Sequence, residues 1–117
     1  MKLSLLFTVL NQLKTDHFQT KTHAEHAALG KAYDELGDLF DTFVELYYGC
    51  EGIPSEQVTY SSTVESYRGN LIFRYTNLRT ILMEHLSEVT VGYEDLKNIQ
   101  ADILGSFNHL LYRLQQA

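Results

Sequence analysis

Apolar residues recur along the chain at steps of three and four, the spacing of an amphipathic helix. Leu3, Leu6, Phe7, Leu10 and Leu13 share one face of a first helix expected over residues 2–20. Leu29, Tyr33, Leu36, Phe40, Phe43, Val44 and Tyr47 share a face of a second, over 22–48, and Ala28, Ala32, Leu39 and Leu46 widen it. So broad a stripe calls for more than one packing partner. Val64, Tyr67, Leu71, Tyr75, Leu78, Leu82 and Leu86 mark a third helix over 62–88, extended by Ile72, Ile81 and Val89. Leu96, Ile99, Ile103, Phe107, Leu110, Leu111 and Leu114 mark a fourth over 93–115.

The ends of these helices carry their own signals. Thr22-His23-Ala24-Glu25 and Ser62-Thr63-Val64-Glu65 both fit the capping box, in which a hydroxyl and a carboxylate three residues on satisfy free amides. Gly49 is placed to end the second helix, and Thr90-Val91-Gly92 to make the last turn. Residues 49–62 form the one long connection and hold the only proline. Stretched at ~3.3 Å per residue this segment reaches about 46 Å, and a second helix over 22–48 is about 40 Å long. The connection can therefore cross the full length of a bundle, which an up-down-up-down arrangement would not need.

A chain of 117 residues is one domain, here spanning 1–117. Met1 to Leu10 is apolar enough to be mistaken for a signal peptide, but it lacks an uninterrupted apolar run and a small-residue cleavage site. No membrane-spanning segment is expected, and the single Cys50 favours a reducing compartment, hence a cytoplasmic location. Nine basic residues against fifteen acidic give a net charge of −6. With no basic tail at either end, nothing supplies the counterion release that drives DNA affinity. There is no nucleophile–base pair, no glycine-rich phosphate loop and no cysteine-based zinc pattern, which argues against hydrolase or kinase chemistry.

Candidate chemistry concentrates between Asp16 and Gly49. Three of the five histidines, His17, His23 and His26, lie there. Asp34, Asp38, Asp41 and Glu45 fall together outside the apolar stripe of the second helix, with His26 between the two faces. A row of carboxylates on a helix is commonly a solvated face. However, His17-Phe18-Gln19-Thr20-Lys21, then His26, then Asp41-Thr42-Phe43-Val44-Glu45 resembles the DNA-protection proteins of starved bacteria, the Dps branch of the ferritin-like superfamily. That family has a His-aromatic pair near the end of its first helix, a second His early in the next, and an Asp-x-x-x-Glu pair 15 residues later, the spacing seen here from His26 to Asp41. The run Gln19-Thr20-Lys21 with His26-Ala27-Ala28-Leu29-Gly30-Lys31-Ala32-Tyr33-Asp34-Glu35-Leu36 looks still more like a small phage-encoded ferritin-like family without a settled function, which would place the protein in the host cytoplasm. The resemblance is clear over residues 10–49 and architectural elsewhere.

The fold class implied is all-α, a ferritin-like four-helix bundle with a long crossover between helices 2 and 3. The resemblance also implies a homo-oligomer, at least a dimer, in which His17 and His26 of one subunit meet Asp41 and Glu45 of another. Two imidazoles and two carboxylates suit iron, zinc or manganese as a divalent cofactor. Two departures matter. The turn between His17 and His26 looks about three residues shorter than in typical members, and Gly30 stands where they carry another carboxylate, which removes a ligand and counts against ferroxidase activity. No catalytic residue is assigned, and the reading leans away from an enzyme.

Two alternatives belong to other classes. Eight tyrosines are more than one small core easily buries with every hydroxyl satisfied. Tyr67 and Tyr75, with Arg68, Arg74 and Arg79 or with Lys21 and Lys31, form a candidate set that clamps a small anionic ligand, such as a nucleotide immune signal sequestered by a phage protein. The other alternative is a structural or partner-binding bundle.

Overall fold

The computed structural model describes residues 3–56, 61–65 and 69–117. Among the described residues four helices make up the fold: α1 (Leu3–Phe18), α2 (His23–Glu51), α3 (Leu71–Val89) and α4 (Glu94–Gln115). The molecule is a four-helix bundle measuring 43 × 28 × 20 Å, and among the described residues no helix is long and apolar enough to cross a membrane. α1 packs on α2, α2 on α4 and α4 on α3, while α1 and α3 touch least.

Polar contacts give the directions. The turn after α1 returns α2 antiparallel to it. Between α2 and α3, Ser62 lies beside α1, its Oγ accepting a hydrogen bond from Asn11 Nδ2 at 2.7 Å. The start of α3 reaches the C-terminal turn of α1, where Arg74 meets Asp16. α3 therefore runs parallel to α2, and the connection crosses the bundle as expected.

Two boundaries differ from the sequence reading. α2 continues through Gly49 to Glu51, and Gly52 caps it instead, with φ +90° and its N–H donating to Tyr48 O at 2.8 Å. α3 begins at Leu71 rather than near residue 62. Ser62–Glu65 are not helical, and the cap is Asn70, whose Oδ1 accepts from Phe73 N–H at 3.1 Å. Asn is as strong a cap as Ser or Thr, and Gly69 at φ +89° marks the break before it.

The core is where periodicity placed it. Leu29, Leu36 and Phe43 of α2, Leu82 and Leu86 of α3, and Leu96, Ile103, Phe107 and Leu110 of α4 are fully buried. On α1 the inward face is Leu3, Leu6, Val9 and Leu13, whereas Phe7 is 44% exposed. The expected Ile81 is half exposed, and Val64 is exposed outside any helix.

The thin α1–α3 seam is closed by polar groups. Asp16 is fully buried. Its Oδ1 accepts from Arg74 Nη1 at 2.6 Å, and its Oδ2 from the Tyr75 hydroxyl at 2.6 Å. Arg74 also reaches Glu65 Oε2 at 3.4 Å. One turn earlier the Gln12 carboxamide pairs with the backbone of Glu65, donating to its carbonyl at 2.8 Å and accepting from its amide at 2.9 Å. Burial, then the bond to Asp16, raise the Tyr75 pKa far above the ordinary phenol value.

Asp16→Ala should cost about 3–5 kcal/mol in urea denaturation, since it strands a buried hydroxyl and a half-buried guanidinium. Tyr75 stabilises the fold as a neutral phenol. Its contribution is complete below the unfolded-state tyrosine value of roughly 10 and is lost as pH rises above it. Between pH 9 and 11.5 the wild type should therefore lose stability more steeply than Tyr75→Phe, by up to about 1.4 kcal/mol per pH unit. Parallel curves would remove Tyr75 from the alkaline limb.

Candidate functional site

The hairpin joining α1 to α2 holds both candidate histidines. Thr22 caps α2 by accepting from Glu25 N–H at 3.1 Å, as its sequence indicates. The returning Glu25 carboxylate takes the Lys21 amide at 3.3 Å. Across this turn His17 and His26 form a reciprocal clasp. His17 Nδ1 bonds the His26 carbonyl and His26 Nδ1 bonds the His17 carbonyl, each at 2.9 Å. The rings stack at 3.7 Å between centroids with a 22° interplanar angle. A carbonyl only accepts, so both Nδ1 atoms carry hydrogen, and in the neutral rings both Nε2 atoms hold the lone pair. An imidazole oriented in this way by a carbonyl is ready to ligate a metal through its other nitrogen.

Gly30 makes the clasp possible. A Cβ there would lie 2.9 Å from His17 Cε1 and 3.1 Å from its Nδ1. The ring occupies the space that any side chain at this position would need.

Asp41 and Glu45 lie farther down α2, exposed to solvent. Fifteen residues of helix separate His26 from Asp41, roughly 22 Å. The two halves of the expected set are therefore apart within one chain, and among the described residues no three His, Cys, Asp or Glu side chains gather as a metal site. Both carboxylates border an apolar groove of about 270 Å³ lined by Leu3, Leu6, Phe7, Leu10, Phe40 and Val44. At the other end of the same α1/α2 face, beside the histidines, Phe18 is 71% exposed. Lys14 sits between, its ammonium 4.7 Å from the Tyr33 ring and 5.3 Å from that of Phe18.

The candidate anion-binding set disperses. Arg74 is committed to Asp16 and Glu65, and Tyr75 is fully buried with its hydroxyl on Asp16. These two belong to the core seam, which corrects their reading as ligand-binding groups. Tyr67 and Arg68 lie outside the described residues. Arg79 Nη1 bonds Asn108 Oδ1 at 2.8 Å on the α3/α4 face. Lys21 is in the first turn and Lys31 on the far side of α2, where it shares a cavity with Arg113. Asp16 is a structural polar group that the sequence pattern does not mark. Asp16 occupies a helix end where an acidic residue reads as solvated, and its burial depends on α3.

Cys50 is exposed at the other end of the bundle. Local desolvation, then the charges of Asp95 and Glu51, raise its pKa and disfavour the thiolate. Tyr93 donates to the Glu51 carboxylate nearby, which raises the phenol's pKa together with a smaller desolvation effect.

The profile of a family of unknown function (DUF5856) matches residues 17–114. The chain belongs to that family. The matched region starts at His17 and takes in the whole clasp, both carboxylates and the crossover. No curated protein and no solved structure matches the chain.

Gly30→Ala tests the clasp. On helix propensity alone the change should stabilise α2 by roughly 0.8–1 kcal/mol. Here the added methyl displaces the His17 ring, so the gain should vanish or reverse in urea melts, and the imidazole Nδ1 protons should lose their protection in NMR. A full propensity gain with the proton signals unchanged would mean that the ring is not held there.

Proposed function

We propose that the protein pairs through its α1/α2 face with a second copy and binds a divalent transition metal where the two copies meet, using His17 and His26 of one and Asp41 and Glu45 of the other. The supporting observation is the self-complementary layout of this face. Exposed Phe18, Lys14 and the clasped histidines stand at one end. An apolar groove flanked by Asp41 and Glu45 stands at the other.

In an isologous contact residue i meets j and j meets i. His26 and Asp41 are symmetric about the Tyr33–Asp34 region of α2, so an antiparallel second copy sets each imidazole pair against the partner's carboxylates. The same operation sets Phe18 against the partner's groove. Gly37, on the intervening stretch, has nothing within 4 Å of where a Cβ would stand, which leaves room for a close approach. Opposite charges meet at both ends of the contact, which favours this register over a parallel one.

The ligand set of imidazole and carboxylate suits zinc, manganese or iron. The Nδ1–carbonyl bonds leave both Nε2 atoms as donors, and the carboxylates supply the negative charge. Without a carboxylate at position 30 the site carries fewer oxygen ligands than the oxidising centres of the DNA-protection ferritins that the sequence resembles. Metal holding, rather than rapid iron oxidation, follows from that donor set.

Analytical ultracentrifugation and zinc or iron(II) titration test the proposal together. The wild type should bind two metals per dimer. Asp41→Ala/Glu45→Ala should lose stoichiometric binding while remaining folded, and Phe18→Asp should dissociate the dimer and lose metal with it. Unchanged binding in the double variant, or in a monomeric Phe18→Asp protein, would overturn the reading.

A further inference from the structure

An imidazole nitrogen ligates through a lone pair in the plane of its ring, with the metal ion about 2 Å away. The His17 and His26 rings lie 3.7 Å apart and only 22° from parallel. Two such planes do not meet within that reach. The closed clasp can therefore direct only one Nε2 at a given ion. The second imidazole joins the same ion only by leaving the stack.

The two rings are not equally free to leave. His17 is half-buried, and its Cε1 stands 2.9 Å from where a Cβ on Gly30 would be, so the ring is seated against the α2 backbone. Phe18 lies beside it in a tilted contact, 5.6 Å between centroids. His26 is exposed, in the first turn of α2. Among the described residues its ring is held by the stack and by the Nδ1 bond to the His17 carbonyl.

Breaking that bond does not strand the carbonyl. The Thr20 hydroxyl already donates to it at 3.3 Å. The His17 carbonyl belongs to the last turn of α1, where acceptors lack partners within the helix, and a side chain from the turn supplies one. His17 has no such release: to leave, it gives up both the His26 carbonyl and its seat on α2.

We propose, on the footing of the metal site above, that metal loading opens the clasp. His17 keeps its seat and its bond to the His26 carbonyl and ligates from there. His26 swings out of the stack to complete the donor set with the carboxylates of the second copy, and Thr20 keeps the His17 carbonyl satisfied. The clasped hairpin is the empty state and the open hairpin the loaded one, so the apparent metal affinity carries the cost of unstacking.

Imidazole 1H–15N NMR during a zinc titration at fixed pH tests this, with calorimetry counting the ions bound. In the zinc-free protein both Nδ1 protons should be visible and slow to exchange. On zinc binding both Nε2 resonances should shift, the His26 Nδ1 proton should be lost to exchange with water and the His17 one should remain. Thr20→Val, which alters no ligand, should leave the zinc-free spectrum unchanged and weaken zinc binding about threefold, the worth of one modest hydrogen bond. Stoichiometric zinc with both Nδ1 protons still protected, or with the His17 proton lost in place of the His26 one, would overturn the opening and leave the metal site standing. Wild-type affinity in Thr20→Val would overturn the role of Thr20. An absence of zinc binding would sink the metal site and the opening together.

Discussion

The buried carboxylate of Asp16 is the constraint on which the crossover architecture depends. α1 and α3 share the poorest packing of any neighbouring pair in the bundle, so hydrophobic contact alone does not position α3. A fully buried carboxylate must be neutralised and hydrogen-bonded. Arg74 and Tyr75, consecutive residues on α3, do both. Meeting that demand fixes the height and rotation of the first turn of α3 against the last turn of α1. Arg74 and Gln12 then extend the hold to Glu65, so the end of the crossing segment is tied to α1 through the same side chains.

The last turn of α1 faces two ways. Asp16 turns inward to α3, and His17, the next residue, turns toward α2 and stacks on His26. One turn thus anchors the crossover on one side and the hairpin on the other. His26 satisfies the His17 carbonyl, one of the acceptors that a helix end leaves free. The arrangement that closes the hairpin also sets the tautomer of both rings, so the structural and the chemical roles of the pair reinforce each other.

Much of this was legible along the chain. The Thr22 cap, the Thr90–Gly92 turn and the long connection with its single proline all lie where the residue types put them. Other signals misled. Ser62-x-x-Glu65 has the form of a helix start, yet Ser62 and Glu65 are taken up by Asn11, Gln12 and Arg74. A local motif proposes partners that a distant helix can claim first. Gly49 looked like a helix end, but the helix continues because Gly52 offers the positive-φ position three residues on. The histidines and carboxylates were visible as residue types at a telling spacing. That His17 and His26 stack, and that Gly30 must be bare to allow it, was not, because the contact runs across a turn and depends on ring placement.

The sequence by itself determined the helical period, the buried face of each helix and the placement of like charges along α2, because these follow from local geometry and from the cost of leaving apolar surface in water. Tertiary structure decided which polar residues are buried and which arginine is spoken for. Asp16 and Arg74 are far apart in sequence. The energy of each polar group depends on what surrounds it in space, and no local pattern in the chain encodes that.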